Sequence, residues 1–204
     1  MPDYRLRFEK RGKAAYLSHL DVLRTFQRAF LRAGIGVKHS EGFNPHPKMS
    51  IAAPLQLGCE SICEVLDASI LSGPEDLPAA LNPVLPEGLR VRSAAPPVLG
   101  VGKIAWAEWA LRFDCGAEEA ENLLRSGRPL VVEKKTKRGV GSLDLAPHVQ
   151  VKRREGETLY LLIRAAEPTV NTGDVAKALV QNGLPVPRKC CRMALFDGEM
   201  SLFA

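Results

Sequence analysis

Residues 17–50 read LSHLDVLRTFQRAFLRAGIGVKHSEGFNPHPKMS, and the rest of the chain is organised around them. Ser18 has the short hydroxyl of a helix N-cap, and Asp21 stands three residues on, where a carboxylate faces the positive end of the helix and can return a hydrogen bond. A helix therefore starts near His19. Leu20, Leu23, Phe26 and Phe30 follow at gaps of three, three and four, the spacing of one buried face, and Gly34 supplies a left-handed stop. About fifteen residues are helical by this count.

Arg24, Arg28 and Arg32 recur every four residues on another face. Three guanidinium groups on one ridge suit phosphates or carboxylates, or else form a solvated face with acidic partners elsewhere. Beyond Gly34 the chain extends and then carries Phe43, Asn44, His46 and Lys48 in a segment where Pro45 and Pro47 flank the histidine. The two prolines fix φ on either side and push Asn44 and His46 toward extended backbone, so the imidazole sits on a stiff, non-helical loop. Such a loop suits binding, while an Asx-turn with a backbone-bonded histidine is the structural alternative.

The run Ser18-His19-Leu20-Asp21 with Arg24 and Phe26, then Arg32-Ala33-Gly34, then the GFNPHPK stretch within residues 40–50, then Pro54-Leu55, Leu57-Gly58 and Glu60-Ser61 resembles the radical-SAM-linked protein family. These motifs cover roughly the first third of the chain, with a looser match beyond. The resemblance implies an association with cobalamin-binding radical SAM proteins, to which such domains are fused C-terminally or beside which they stand alone, and a link to RNase E/G-type ribonucleases. It brings no reaction with it. This chain has no cysteine triplet of CxxxCxxC spacing, so any radical chemistry belongs to another polypeptide.

The chain has 204 residues, 46% of them hydrophobic, enough for one large domain or two small ones. Its net charge of +5 favours anionic partners without reaching a strongly basic composition. No apolar run is long enough to span a membrane, and the charged start at Asp3, Arg5, Arg7, Glu9 and Lys10 does not read as a signal peptide, so a cytoplasmic protein is expected. Cys59, Cys63, Cys115, Cys190 and Cys191 form no disulfide framework and read as reduced thiols. Neither they nor the four histidines show metal-ligand spacing, and no motif implies a cofactor.

Element order repeats. Alternation at Tyr4, Leu6 and Phe8 gives a strand with one buried face. The capped helix follows, then extended segments at 37–40 and 49–53, a longer strand at 62–71, a short helix within 74–85 and a strand at 89–93. Pro96, Pro97, Gly100 and Gly102 mark 94–102 as a linker. Strands at 109–114, 130–135, 148–153, 158–164 and 193–196 and helices at 117–125 and 172–182 make a second pass. The expectation is an α+β fold of two ferredoxin-like, split βαβ antiparallel-sheet subdomains in tandem, 1–93 and 103–204.

Lys134, Lys135, Lys137 and Arg138 form a glycine-flanked loop able to track a phosphate backbone without reading bases, or a hairpin tip kept soluble by charge. Lys152, Arg153 and Arg154 form a second basic cluster. Aromatic residues are only 6% of the chain, and no strand carries the aromatic platform of an RRM, which leaves Phe43 as the main candidate exposed ring. Together these features point to an RNA-binding accessory or substrate-presenting protein. Its expected partners are RNA, tRNA or rRNA, and a separate radical SAM or RNA-processing enzyme, with no membrane. The alternatives are an enzyme that uses the His46 loop on an anionic substrate, and a protein-interaction module docking on a radical SAM partner. His19, Arg24, Arg28, Phe43, Asn44, His46 and Lys48 are the candidate ligand- or anion-binding set, and His19, Arg24, Asn44, His46 and Lys48 are expected to line one polar, partly enclosed anion site with Phe43 packing at its edge.

Overall fold

The computed structural model describes residues 4–136 and 139–203, and the chain is α+β, dividing into two compact units between Val101 and Gly102. In the first unit β1 (Tyr4–Lys10), α1 (His19–Arg32), β2 (Gly36–Val37), β3 (Met49–Ile51), β4 (Glu60–Ala68), β5 (Ile70–Ser72), α2 (Leu77–Leu81) and β6 (Leu89–Ala95) follow in order. Antiparallel pairing gives the strand order β3–β4–β1–β6, and β2 pairs with β5 as a separate ribbon. That strand order, with two helices between its strands, is the split βαβ arrangement.

The helix start is as the sequence indicates. Ser18 Oγ accepts from the Asp21 N–H at 3.2 Å and donates to its carboxylate at 2.6 Å. Gly34, at φ +69°, ends the helix in the left-handed region that only glycine occupies cheaply. The buried face, however, is Val22, Phe26, Ala29 and Phe30. Leu20 is 57% exposed, because the apolar stripe turns away from the first helical turn, and the three-four spacing alone does not reveal that rotation. Phe26 meets Phe8 edge-on with centroids 4.7 Å apart, and Leu6, Leu66, Leu81 and Val91 complete this core.

Strand β1 does not have one purely apolar buried face. Arg5 and Asp67 stand opposite each other in the β1–β4 register and form a two-pronged ion pair at 2.8 and 3.0 Å, with both residues buried. Lys10 is buried as well. A buried charge needs a partner, and both have one: Asp67 for Arg5, and for Lys10 the Ala15 carbonyl at 3.1 Å.

The second unit runs β7 (Trp106–Arg112), α3 (Ala117–Arg125), β8 (Val131–Thr136), β9 (Gly139–Asp144), β10 (Val149–Glu155), β11 (Thr158–Arg164), α4 (Thr172–Gln181) and β12 (Lys189–Phe196). Its order β10–β11–β7–β12 is again that of a split βαβ unit. A strand that the sequence reading does not contain, β9, pairs with β8 in a hairpin, from Val131↔Asp144 to Thr136↔Gly139. Gly139 and Gly141 hide β9 from any alternation test. α4 carries a full capping box between Asn171 and Asp174. The expected linker is shared between the end of β6, an irregular stretch and a 3₁₀ turn at Val101–Lys103.

Candidate functional site

Between β2 and β3 the chain makes a loop pinned at its base. The Ser40 N–H donates to the His46 carbonyl at 2.7 Å, and the His46 N–H donates to Ser40 Oγ at 3.0 Å. One step outward His39 and Pro47 form an isolated bridge, and the Lys48 N–H donates to the Lys38 carbonyl at 2.7 Å. Both β-ribbons continue from there, since Lys38 and Lys48 each bond Ser69 backbone. The prolines and these bonds together hold residues 41–45 away from the body, and Phe43 at the tip is fully exposed, at 112% of its reference surface. A bare aromatic ring on a pinned loop forgoes burial worth roughly 1.5–3 kcal/mol.

Beside this loop lies a cavity of about 500 Å³. Phe30, Ile35 and Met49 contribute apolar surface from helix and strand, and His39 and Pro47 close it from the base of the loop. Arg24, Gln27, Arg28 and the 78% exposed Leu31 line it from α1. Gly36 also lines the cavity, and a Cβ there would fall 2.6 Å from Ser72 Oγ across the β2–β5 ribbon, so the serine side chain would have to turn away.

The three arginines of the ridge differ. Arg32 donates to the Val84 carbonyl at 2.7 Å and is committed to the fold. Arg24 reaches Asp21 at 3.7 Å in an exposed i,i+3 pair, an interaction of little worth. Arg28 makes no hydrogen bond or ion pair among the described residues. The Ser18 hydroxyl, helped by the Ser18–Asp21 backbone bond and by Arg24, holds the Asp21 carboxyl below its usual range.

The structure divides the expected ligand set. Arg24 and Arg28 line the cavity. Phe43, Asn44, His46 and Lys48 are exposed on or beside the loop and do not line it. His19 lines a different, water-sized pocket of about 10 Å³, together with Lys10 and Glu64, both only 2% exposed. His39, which the sequence does not single out, joins the two arginines. Its signal is the Pro47 pairing partner across the loop, which no local pattern exposes.

In the second unit, Lys134 donates to the Thr169 carbonyl and pairs with Asp174 at 3.1 Å. It lines an open groove of about 810 Å³ between the β8–β9 hairpin and α4. Lys137 and Arg138 lie outside the described residues, as does the side chain of Lys135. The second basic cluster is neutralised: Lys152 meets Glu108 at 2.7 Å, Arg153 meets Glu108 and Glu155 at 3.2 and 2.7 Å, and Arg154 meets Glu121 and Glu118 at 2.9 and 3.4 Å. Arg153 also stacks 3.6 Å above the Tyr160 ring. The Arg154 and Arg125 hydrogen bonds hold the Glu121 carboxyl below its usual range.

The class so defined is an α+β protein with an exposed ring on a pinned loop and a two-arginine cavity beside it. The chain belongs to a family described as an uncharacterized protein conserved in bacteria, DUF2344, whose profile matches residues 3–174. No curated protein matches it. Among solved structures it is similar to a chain in the crystal structure of a Cbf5-Nop10-Gar1 complex, at 10% identity and a TM-score of 0.49, covering 95% of this chain and 49% of that one. It is also similar to a chain in the crystal structure of the archaeal box H/ACA sRNP Nop10-Cbf5 complex, at 9% identity and a TM-score of 0.44, covering 94% of this chain and 47% of that one. The chain thus spans about half the length of the structures it matches. No helix among the described residues is long and apolar enough to cross a membrane.

Proposed function

We propose that this chain is an RNA-binding accessory protein that presents single-stranded RNA, a tRNA or rRNA segment, to a separate modification or processing enzyme. The observation that carries this reading is the fully exposed Phe43 ring on a loop pinned by Ser40 and His46. An aromatic ring held rigidly in solvent next to cations is how a protein binds an unpaired base: the ring stacks on any base, and Lys48, Arg24 and Arg28 meet the backbone. Asn44 and His46 then supply hydrogen-bonding groups from the same loop. The two units act as separate domains, 1–93 and 103–204, joined through 94–102. In the second, Lys135, Lys137 and Arg138 are the candidate phosphate contacts, Lys134 being paired with Asp174. Resemblance to radical-SAM-linked proteins supports a radical SAM protein, or a ribonuclease of the RNase E/G type, as the enzyme served.

Crosslinking the protein to RNA in cells and sequencing the recovered RNA tests the reading. Enrichment of defined single-stranded segments, abolished by Phe43→Ala, supports it; recovery no better than background rejects it. The second reading is an enzyme that uses the exposed His46 loop on an anionic substrate.

A further inference from the structure

The cavity next to the loop has features that a stacking surface alone does not need. Its volume, about 500 Å³, falls within the range of sites that enclose a small ligand. Its floor is apolar and deeply set, with Phe30 and Ile35 both buried, while its charged groups stand on the rim, the Arg24 side chain being 65% exposed. An apolar floor with a cationic rim fits a ligand that has a flat, weakly polar body and anionic ends.

The rim has a spacing. Arg24 and Arg28 are four residues apart on α1, which puts their Cβ atoms about 5–6 Å from each other on one face. Neighbouring phosphates along an extended nucleic-acid strand have a similar separation, so each guanidinium can take one of the two phosphates that flank a single nucleoside. Both are available: Arg28 has no partner among the described residues, and the Arg24–Asp21 contact at 3.7 Å is exposed and weak.

The cavity also has a polar reader of defined sense. His39 lines it, and its Nδ1 lies 3.1 Å from the Val37 carbonyl oxygen. A carbonyl oxygen can only accept, so Nδ1 is the donor in this contact, and Nε2 is the ring nitrogen left to accept. An acceptor suits an N–H on a base edge, and the nearby Gln27 amide can both donate and accept.

We infer that this cavity takes one unstacked nucleotide of a single strand, its base inside and its two flanking phosphates held by Arg24 and Arg28, with His39 Nε2 accepting from the base. This rests on the RNA-binding reading and adds that one nucleotide is extracted and enclosed while its neighbour stacks outside on Phe43. Enclosing a base costs its stacking in the free strand, which the apolar floor and the two charge-assisted phosphate contacts offset.

Calorimetric titration of the full chain with a nucleoside 3′,5′-bisphosphate tests it. The bisphosphate is expected to bind one-to-one, inorganic phosphate to give no saturable heat, and removal of either phosphate to weaken binding about tenfold. Arg24→Ala and Arg28→Ala should each cost about tenfold. His39→Phe, which keeps the ring and removes the acceptor, should cost about tenfold for the bisphosphate. Leu31→Trp, at an exposed rim position, should block the cavity and abolish bisphosphate binding with the fold intact by circular dichroism. The inference is overturned if a longer unstructured RNA binds the wild-type chain but the bisphosphate does not, if inorganic phosphate binds as tightly as the nucleotide, or if Leu31→Trp leaves the affinity unchanged. Failure of the longer RNA to bind as well would overturn the RNA-binding reading with it.

Discussion

Along β10 and α3 of the second unit, Lys152, Arg153 and Arg154 meet carboxylates at 2.7–3.4 Å, whereas along α1 of the first unit Arg24 has one contact at 3.7 Å and Arg28 none among the described residues. By sequence the two clusters look alike, and the second is the denser. Register makes the difference: β10 and β7 both flank β11, which brings Glu108 to Lys152 and Arg153, and α3 presents Glu118 and Glu121 to Arg154. A cation matters for an external anion only if the fold has not already supplied one. Local charge density in a sequence therefore overstates a strand cluster whose partners arrive from other elements, and understates a helix ridge that is left open.

The largest effect should come from an ion pair that the fold cannot replace. Asp67→Ala leaves the Arg5 guanidinium buried without its carboxylate and should lower stability by roughly 3–5 kcal/mol, read as a shift in the denaturant midpoint. A change near zero would mean that water reaches Arg5 in the variant. Removing charge from the exposed second-unit network, by Arg153→Ala, should leave the midpoint almost where it was.

Next comes the ring. Phe43→Ala should weaken single-stranded RNA binding by about 1–3 kcal/mol and leave thermal stability unchanged, because nothing packs on that ring. Reduced stability with undiminished binding would reassign Phe43 to the fold.

The smallest effect is electrostatic and local. Asp21 has its carboxyl held below the usual range, chiefly by the Ser18 hydroxyl. Its contribution to α1 is therefore fully present above the ordinary aspartate value of about 3.9 and is lost as pH falls through the depressed value. Ser18→Ala should flatten the acid limb of a stability–pH profile in that window. An unchanged limb would show that the cap does not act through Asp21.

Much of the fold is legible in the sequence because it is local. Ser18 with Asp21 marks the start of α1, Gly34 its end, and the strand–helix–strand–strand–helix–strand order follows in both units. What is not legible depends on register. Leu20 has the spacing of a core residue but lies on the turned-out first helical turn, and β9 is concealed by its glycines. Arg5, Lys10 and Glu64 are buried, and the partners known for two of them, Asp67 for Arg5 and the Ala15 carbonyl for Lys10, come from outside their own strand. The candidate site is half visible in the same sense. Arg24, Arg28 and Phe43 can be named from spacing and loop chemistry, but the separation of His19 into its own pocket and the arrival of His39 beside the arginines come from the β2–β5 ribbon and the His39–Pro47 bridge.

The contrast between the open ridge and the neutralised strand is tested most directly by the salt dependence of single-stranded RNA affinity in two double variants. Replacing Arg24 and Arg28 by Ala should reduce the slope of log affinity against log salt by about 0.7 for each phosphate no longer neutralised, while replacing Arg153 and Arg154 by Ala should leave it unchanged. A flattened slope in the second variant with an unaltered slope in the first would contradict the account.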